Sequence, residues 1–357
     1  MTPKSNLETE LIKAMLYLER YEPLAYLAIE KNLEVAQKKI LDLIASTTNQ
    51  KAIRVELKKI MNDAFVGFND EIMEDIAEVA ELSYNKFGAI VASGFVTDAL
   101  AKEFKKFKSI DKGIKESLLN QNRLILGNNI DDLKNQMILG ANQKLRATIL
   151  QGFNDKIGIN KINQDVKLIL GNLSQHQART VTRTVLLNAI EESKNASFEF
   201  FKDEIDYWVY SSVLDTRTSI YCRAAHGYKT KDKITAKYRV KSHYNCRSMW
   251  KIENELTRKY DAMYPDRNMV EWDYKKVNHR DGTTSKKFKV GQVKQISKKA
   301  SGYDAFNALD DEYKLDLLGK ERYKLYKSGK ATFREMADVA RNRFIPLDEL
   351  KKKLKLN

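Results

Sequence analysis

The 357-residue sequence has few of the residues that interrupt or cross-link a chain: 4 prolines, 15 glycines and 2 cysteines. Two cysteines are too few for a disulfide-based scaffold. No run of about 18 apolar residues is present, and charges recur every few positions near the N-terminus, which argues against a membrane-spanning helix and a secretory signal. We therefore expect a protein that is made and kept in a cytosol, with its cysteines as thiols or metal ligands.

The scarcity of proline and glycine favours helices. Through the first 200 residues, Leu, Ile and Ala recur at spacings of three and four among Lys, Glu, Asn and Gln, a pattern typical of amphipathic helices. Gly127, Gly140 and Gly171 each follow a short apolar run, and we expect each of them to end a helix. Residues 1–144 are therefore predicted to form a helical N-terminal region.

The pattern changes after Phe201, where "IDYWVYSSVLDTRTSIYC" concentrates aromatic, β-branched and hydroxyl residues that favour strands. "KDKITAKYRV" is a second candidate strand, so residues 205–255 are predicted to form a small β-rich module. Residues 256–302 are polar and lysine-rich and are predicted to be a basic linker or arm, whereas residues 303–357 regain helical periodicity and form a helical C-terminal tail. The predicted fold class is mainly α with a small α+β module.

The net charge of +15 is concentrated in one part of the chain. Residues 221–300 hold 21 Lys and Arg against 8 Asp and Glu, a net charge of +13, whereas residues 61–100 have a net charge of −7. A basic region of this kind is typical of non-specific contact with DNA phosphates, although it also fits a solvated surface. The candidate DNA-binding residues are Lys229, Lys231, Lys233, Lys237, Arg239 and Lys241.

Both cysteines and two of the four histidines lie between residues 222 and 246. Cys222 and His226 form a C-x3-H pair, and His243 and Cys246 form an H-x2-C pair. Two short-spaced pairs fit tetrahedral zinc, which prefers thiolate and imidazole ligands. A packed pair of thiols and a disulfide are the alternatives, and the residues leave all three open.

Catalytic interpretations of the same residues are weaker. A catalytic pair with Cys246 as the nucleophile and His243 as the base would lack a third group to orient it. A metal-dependent nuclease built on His226, His243 and Asp215 lacks a paired-carboxylate pattern. Asp215 instead opens the string "DTRTS", where we expect a hydrogen-bonded turn whose carboxylate accepts backbone N–H groups, with Arg217 paired either with this carboxylate or with another buried acid.

In this order and spacing, the residues from Trp208 to Arg247 resemble the signature of the Mu F-like phage head morphogenesis family, the minor head proteins of tailed bacteriophages. The matching residues are Trp208, Asp215, Arg217, Thr218, Ser219, Cys222, Gly227, His243, Asn245, Cys246 and Arg247.

The resemblance extends to both sides of the signature, over roughly residues 145–350. Upstream, Gly152, Gly158 and the pair Arg183 and Thr184 occupy matching places, so residues 145–255 are assigned as the Mu F-like domain. His226 falls where members commonly carry Asp or Asn, so the resemblance makes Cys222, His243 and Cys246 the safer metal ligands and leaves the fourth ligand open.

The resemblance implies a non-enzymatic virion component that acts in head morphogenesis. It would associate with the portal protein and other head proteins, in the capsid interior or at the portal vertex, in several copies per virion. It would contact DNA without sequence preference, with ejection alongside the genome as a further expectation. Assembly would take place in the host cytoplasm and require no membrane. The alternative from another class is a metal-dependent nuclease or an ADP-ribosyltransferase-type phage enzyme.

Overall fold

The computed structural model describes residues 5–19, 22–66, 68–106, 130–278, 284–297 and 299–355, and Gly127 lies outside these ranges. Helices dominate the described part of the chain, which confirms the predicted fold class of a mainly α protein with a small α+β module. None of these helices combines the length and the apolar composition needed to cross a bilayer.

In the described ranges, eight α-helices precede the small sheet, as the apolar periodicity of the sequence predicts for a helical region. They are α1 (Leu7–Leu18), α2 (Glu22–Ser46), α3 (Gln50–Ala64), α4 (Phe68–Ala92), α5 (Asp98–Phe104), α6 (Ile130–Asn154), α7 (Ile159–Asn172) and α8 (Arg179–Glu199). Asn6 caps the first helix, because its Oδ1 accepts the Thr9 N–H at 2.9 Å and so satisfies one of the unpaired donors of the first turn. One apolar core joins α2, α3, α6, α7 and α8.

The helix end predicted at Gly140 is wrong, whereas near Gly171 an α-helix does end, but without the predicted left-handed closure. Gly140 lies in the middle of α6, and Gly171 is the penultimate residue of α7. Neither glycine has the positive φ that would close a helix. The chain instead passes from α7 through a single π-helical turn, Leu173–Ala178, directly into α8. The apolar residues on both sides of these glycines belong to the same core, so the helices continue through them.

The small module contains a three-stranded antiparallel sheet in the order β2-β1-β3. Its strands are β1 (Tyr207–Ser211), β2 (Lys229–Thr230) and β3 (Met249–Glu253), and the helix α9 (Ile220–Ala225) lies between β1 and β2.

Two parts of the strand prediction are wrong. Residues 220–225 form α9, because Ser219 caps a helix by accepting the Cys222 N–H at 3.2 Å. Residues 231–240 form turns and bends, where the Asp232 carboxylate accepts the backbone N–H groups of Ile234 and Thr235 at 2.8 and 3.3 Å. Local side-chain hydrogen bonds therefore override the β propensity of both segments.

The sheet shares its core with the N-terminal helices. Trp208 and Tyr210 of β1 and Trp250 and Ile252 of β3 are buried in one cluster with residues of α1, α4, α5 and α8. The module is thus built into the helical region and has no separate core of its own.

After the sheet, α10 (Glu255–Met263) leads into a long antiparallel hairpin, β4 (Asp266–Asn278) with β5 (Thr284–Ser297). The predicted linker or arm therefore consists of a helix and this hairpin. Asn6 connects the base of the hairpin to α1, because Asn6 Nδ2 donates to the carbonyl oxygens of Tyr264 and Asp266, both at 2.8 Å.

The C-terminal segment folds into five short helices and a two-stranded ladder. These are α11 (Gly302–Asn307), α12 (Asp311–Leu318), α13 (Lys320–Lys327), α14 (Phe333–Met336), β6 (Ala337–Asp338), β7 (Arg343–Phe344) and α15 (Leu347–Lys353). Their apolar residues pack with Leu214 and Ile220 of the small module. Gly302 touches α9 so closely that an added Cβ would lie 2.1 Å from the Arg223 carbonyl oxygen.

Candidate metal centre and its buried charge network

Two chain segments with left-handed residues form the site. After β1 the chain turns at Leu214, which has φ 53° although it is a branched apolar residue, and Asp215 follows directly. On the second segment, Asn245 has φ 56° and directly precedes Cys246. A non-glycine residue in this region costs about 1 kcal/mol or more. Packing of both segments offsets this strain, and the two turns fix the positions of Asp215 and Cys246.

Cys222, His243 and Cys246 come together between these segments. Cys222 Sγ lies 3.0 Å from His243 Nε2 and 3.7 Å from Cys246 Sγ, and all three ligand atoms lie within 4.8 Å of one another. Both thiols are buried and neither forms a disulfide. Three of the four predicted metal ligands thus share one group, which the helix α9 and the segment before β3 hold together.

A backbone hydrogen bond fixes the ring of His243. Its Nδ1 lies 2.8 Å from the Tyr244 carbonyl oxygen, which can only accept, so Nδ1 carries the proton and donates. Nε2 therefore presents its lone pair toward the thiols and toward Ser219 Oγ, which lies 2.9 Å away. Histidines that bind metals usually have their second ring nitrogen held in this way.

The two thiols have opposite shifts in pKa. Burial raises the pKa of Cys222, and its hydrogen bond to Cys246 raises it further. The hydrogen bond from Cys222 lowers the pKa of Cys246 well below its usual value, and the bond to His243 adds to this effect while burial opposes it. Burial lowers the pKa of His243, but contact with Cys246 and the hydrogen bond to the Tyr244 carbonyl oxygen together outweigh burial, and the net shift is upward. The arrangement thus stabilises a thiolate at Cys246.

A buried ion pair lies next to the thiols. Arg247 Nη1 and Nη2 donate to Asp215 Oδ2 and Oδ1, both at 2.6 Å, and the two residues are 8% and 0% exposed. The same carboxylate accepts the Arg217 N–H at 2.9 Å and the Thr218 hydroxyl at 3.1 Å, so the predicted hydrogen-bonded turn is present. The pair links the turn after β1 to the segment that carries Cys246.

Two more arginines surround this turn. Arg223 Nη2 donates to the Asp215 carbonyl oxygen at 2.5 Å, and burial lowers the pKa of Arg223 to about 10. Burial together with the charge of Arg247 lowers the pKa of Arg217 to about 10. Both guanidinium groups remain protonated near neutral pH, and Glu19 from α1 lies 3.7 Å from both Arg217 Nη2 and Arg247 Nε. The N-terminal helix thereby supplies negative charge to the site.

The structure separates His226 from the other three predicted ligands. His226 Nδ1 accepts the Ser212 N–H at 3.1 Å, and Nε2 lies 4.0 Å from a carboxylate oxygen of Glu8. Buried Glu8 also accepts the Ser211 hydroxyl and lies 3.2 Å from Lys251 Nζ. His226 therefore belongs to the contact between α1 and the sheet.

The remaining signature residues have structural positions. Gly227 has φ 84°, which a glycine adopts without strain, and its N–H donates to the Tyr210 carbonyl oxygen at 2.8 Å. Trp208 is 7% exposed and packs in the core shared with the helices. The Asn245 N–H donates to Thr184 Oγ1 at 3.1 Å, which joins the segment before Cys246 to α8.

The six candidate DNA-binding residues fall into two groups. Lys229 pairs with Glu253 at 2.6 Å, Lys233 Nζ lies 3.6 Å from the ring centroid of Trp208, and Lys241 Nζ donates to the Cys246 carbonyl oxygen at 2.8 Å. These three cations have close intramolecular partners, whereas Lys231 and Lys237 make longer ring contacts, with Nζ 5.9 Å from the Tyr207 centroid and 5.3 Å from the Tyr238 centroid. The exposed residues of the second group, which lie in the turns between β2 and β3, are Lys231, Lys237 and Arg239.

The cavity beside the cysteines is very small, at about 10 Å³. Its walls include Arg217, Ser219, Cys222, His243 and Asn245. This volume accommodates about one water molecule or one metal ion, whereas sites for organic ligands usually measure about 300–1,000 Å³. A larger cavity of about 500 Å³ lies elsewhere, between α1 and α4, and none of the predicted site residues lines it.

Sequence reasoning missed the buried charges that connect this module to the rest of the protein. Glu8 and Glu19 reach the site from about 200 residues away, and their sequence surroundings are those of ordinary amphipathic helices. Lys194 and Glu191 form a completely buried pair at 2.8 Å, in which the Trp250 N–H donates to Glu191 at 3.0 Å. The i,i+3 spacing of Glu191 and Lys194 was the available signal, but such a spacing is also common on exposed helix faces.

A comparison with known protein families shows which family this module resembles. Residues 143–250 match the family described as Phage Mu protein F like protein, and the matched segment spans less than a third of the chain. The resemblance to the Mu F-like family is thus confirmed for the segment from the second half of α6 to the first two residues of β3, which contains the site. No curated protein and no solved structure matches the chain.

Proposed function

We propose that this chain, whose residues 143–250 form a Mu F-like phage domain, is a component of a bacteriophage head and acts in head morphogenesis. The family match carries the proposal, because the matched segment contains the complete signature from Trp208 to Arg247. In the virion the protein would occupy the portal vertex or the capsid interior, bound to the portal protein and other head proteins in several copies.

The way the domain is built supports a structural role. Its sheet shares one core with the N-terminal helices, and its turn around Asp215 packs against the C-terminal helices. Buried charge pairs also cross these contacts, as with Lys251 of β3 and Glu8 of α1 at 3.2 Å. Removing either member of such a pair leaves an uncompensated charge, so these contacts fix the relative positions of the segments. A rigid particle component requires this kind of integration.

Contact with packaged DNA is the second part of the proposal. Lys231, Lys237 and Arg239 are exposed beside the sheet, and the sequence of β5 contains four lysines and no acidic residue. Cations of this kind bind phosphates without reading the base sequence. Inside a capsid, where DNA is densely packed, such contacts suit a protein that must hold the nucleic acid without selecting a site.

The proposed role of the protein is structural and not enzymatic. The cavity beside the Cys and His residues, at about 10 Å³, has no room for an organic substrate. The neighbouring carboxylate of Asp215 is engaged by both terminal nitrogens of Arg247, which stabilises its charged form and makes it a poor proton acceptor. These features favour the structural role over the nuclease and transferase alternatives.

Co-purification tests the association with the portal. The full chain is co-expressed with the portal protein of the same phage, and affinity capture of either partner is expected to bring down the other. The control variant exchanges α3 residues Lys51, Lys58 and Lys59, which are exposed and lie outside the matched domain, for alanine. Capture of neither the portal nor another head protein would contradict the proposed role.

A further inference from the structure

We propose that Cys222, His243 and Cys246 bind one Zn²⁺ ion, with a water molecule as the fourth ligand. The inference rests on the geometry of the three side chains and holds whether or not the protein is a head component. It goes beyond the proposed function because it assigns a metal ion to the module. This ion would also give a physical reason for the rigidity of the module's centre.

The distance between the two sulfurs matches a zinc site. Two thiolates bound to one tetrahedral Zn²⁺ at about 2.3 Å are about 3.8 Å apart, and the observed separation of Cys222 Sγ from Cys246 Sγ is 3.7 Å. A disulfide would instead require a bond of about 2.05 Å. The distance of 3.0 Å from Cys222 Sγ to His243 Nε2 is about half an ångström shorter than the corresponding zinc edge. A small shift of the partly exposed imidazole ring that keeps its hydrogen bond to the Tyr244 carbonyl oxygen would make up this difference.

The imidazole is already oriented for a metal. Because His243 Nδ1 donates to the Tyr244 carbonyl oxygen at 2.8 Å, the lone pair of Nε2 faces the sulfurs. Ionisation of both thiols would place two buried negative charges next to each other. Two positive charges from Zn²⁺ would balance both thiolates with a neutral imidazole as the third ligand.

The fourth position fits a water molecule. No further Cys, His, Asp or Glu joins the group in the described part of the chain. His226, the fourth ligand that the sequence offered, faces Ser212 and Glu8 instead. The cavity of about 10 Å³ beside the group has room for about one small ligand, and the buried Asn245 Oδ1 on its wall has no hydrogen-bond partner among the described residues. A metal-bound water would supply a donor to this wall.

Elemental analysis tests the proposal first. The full chain is expressed in bacteria, purified without added metal or chelator, and its zinc content is measured by inductively coupled plasma mass spectrometry. We expect about one equivalent of zinc per chain. A zinc content below about half an equivalent, or a stoichiometric disulfide detected by thiol alkylation and mass spectrometry, would overturn the proposal.

Variants assign the ligands. Cys222→Ser, Cys246→Ser and His243→Asn are expected to lose the zinc, whereas the matched control His226→Asn keeps it. Asparagine at position 226 retains an acceptor for the Ser212 N–H, so this control preserves the local hydrogen bond. Ser219→Ala also keeps the zinc if water is the fourth ligand. Retention of zinc by all three ligand variants, or its loss from Ser219→Ala, would contradict the assignment.

Cobalt substitution tests the site in the wild-type chain, so its result does not depend on whether the variants fold. The wild-type chain is stripped of metal and titrated with Co²⁺, and absorption spectra are recorded. Thiolate coordination predicts a sulfur-to-cobalt charge-transfer band together with the intense visible bands of four-coordinate cobalt. The weak spectrum of six-coordinate cobalt without a charge-transfer band would overturn the proposal even if every ligand variant failed to fold.

Discussion

Asp215 and Arg247 form a buried bidentate ion pair with two hydrogen bonds of 2.6 Å. The pair connects the turn after β1 with the segment that carries His243 and Cys246. Replacement of Arg247 by methionine leaves the Asp215 carboxylate buried without its main counter-charge, so the free energy of unfolding should fall by about 3–5 kcal/mol. Chemical denaturation followed by tryptophan fluorescence measures the change, because Trp208 and Trp250 lie in the same module.

An exposed pair provides the matched control. Arg258 Nη2 lies 2.7 Å from Asp206, and both side chains are about half exposed. Arg258→Met should therefore cost less than about 1 kcal/mol. Equal losses from the two arginine variants would contradict the importance of the buried pair.

Lys194 predicts a pH dependence of stability at alkaline pH. Burial lowers its pKa to about 8 from an ordinary value of 10.5, with Glu191 opposing the shift. Below pH 8 the lysine is protonated in both folded and unfolded chains. Between these two pKa values the unfolded chain retains the proton and the folded chain does not. The contribution of Lys194 to the free energy of unfolding therefore rises with pH, by at most about 1.4 kcal/mol per pH unit.

The measurement compares denaturation of the wild-type chain and of the double variant Lys194→Met, Glu191→Gln from pH 7 to 10.5. Glutamine retains an acceptor for the Trp250 N–H. Because the two proteins share every titratable group except Lys194 and Glu191, the difference between their pH profiles isolates this buried pair. A flat difference, or one in which the wild-type chain loses stability relative to the variant as pH rises, contradicts the shift.

Two glycines should respond to alanine in opposite directions. At Gly302 an added Cβ would lie 2.1 Å from the Arg223 carbonyl oxygen, so Gly302→Ala should separate the C-terminal helices from α9 and lower stability by several kcal/mol. At Gly140, in the middle of α6, no atom outside the adjoining backbone of the helix itself lies within 4 Å of an added Cβ. Gly140→Ala should stabilise the protein by about 0.5–1 kcal/mol through helix propensity. Thermal unfolding measures both changes, and the same sign for both would count against the described packing.

These two glycines also show where sequence reasoning succeeds and fails. Helix type followed from the apolar periodicity of the first 200 residues, because that pattern reflects the buried face directly. The end predicted at Gly140 failed because the same periodicity continues on both sides of the residue and tertiary packing outweighs a single weak helix former. Local propensity likewise favoured a strand at residues 220–225, where the cap at Ser219 produces a helix.

The candidate site likewise contains residues that the sequence could identify and residues that it could not. Cys222, His243 and Cys246 were identifiable because the residue types are rare in this chain and closely spaced. The exclusion of His226 from the cluster depends on the direction of the chain after α9, which spacing does not encode. Glu8 lies in the first turn of α1 and Glu19 at its C-cap. Neither was predictable as a partner, because exposed acids of ordinary amphipathic helices have the same local sequence.

The proposed DNA binding should depend steeply on salt concentration. We expect affinity for random-sequence duplex DNA to fall with salt, and the triple variant of Lys231, Lys237 and Arg239 to alanine should reduce the logarithmic salt slope by about 3. The matched control, with Lys51, Lys58 and Lys59 exchanged for alanine, removes the same charge from α3 and should leave the slope nearly unchanged. Fluorescence anisotropy over a salt series distinguishes the two, and equal effects of both triple variants would contradict a localised interface.

The most direct test of the head-component assignment is quantitative mass spectrometry of purified phage particles and of heads separated from tails. The account predicts that this chain is present in several copies per particle, remains with the head fraction and resists removal by high-salt washing. Its absence from both virions and assembly intermediates, in a host where the protein is produced during infection, would contradict the central claim.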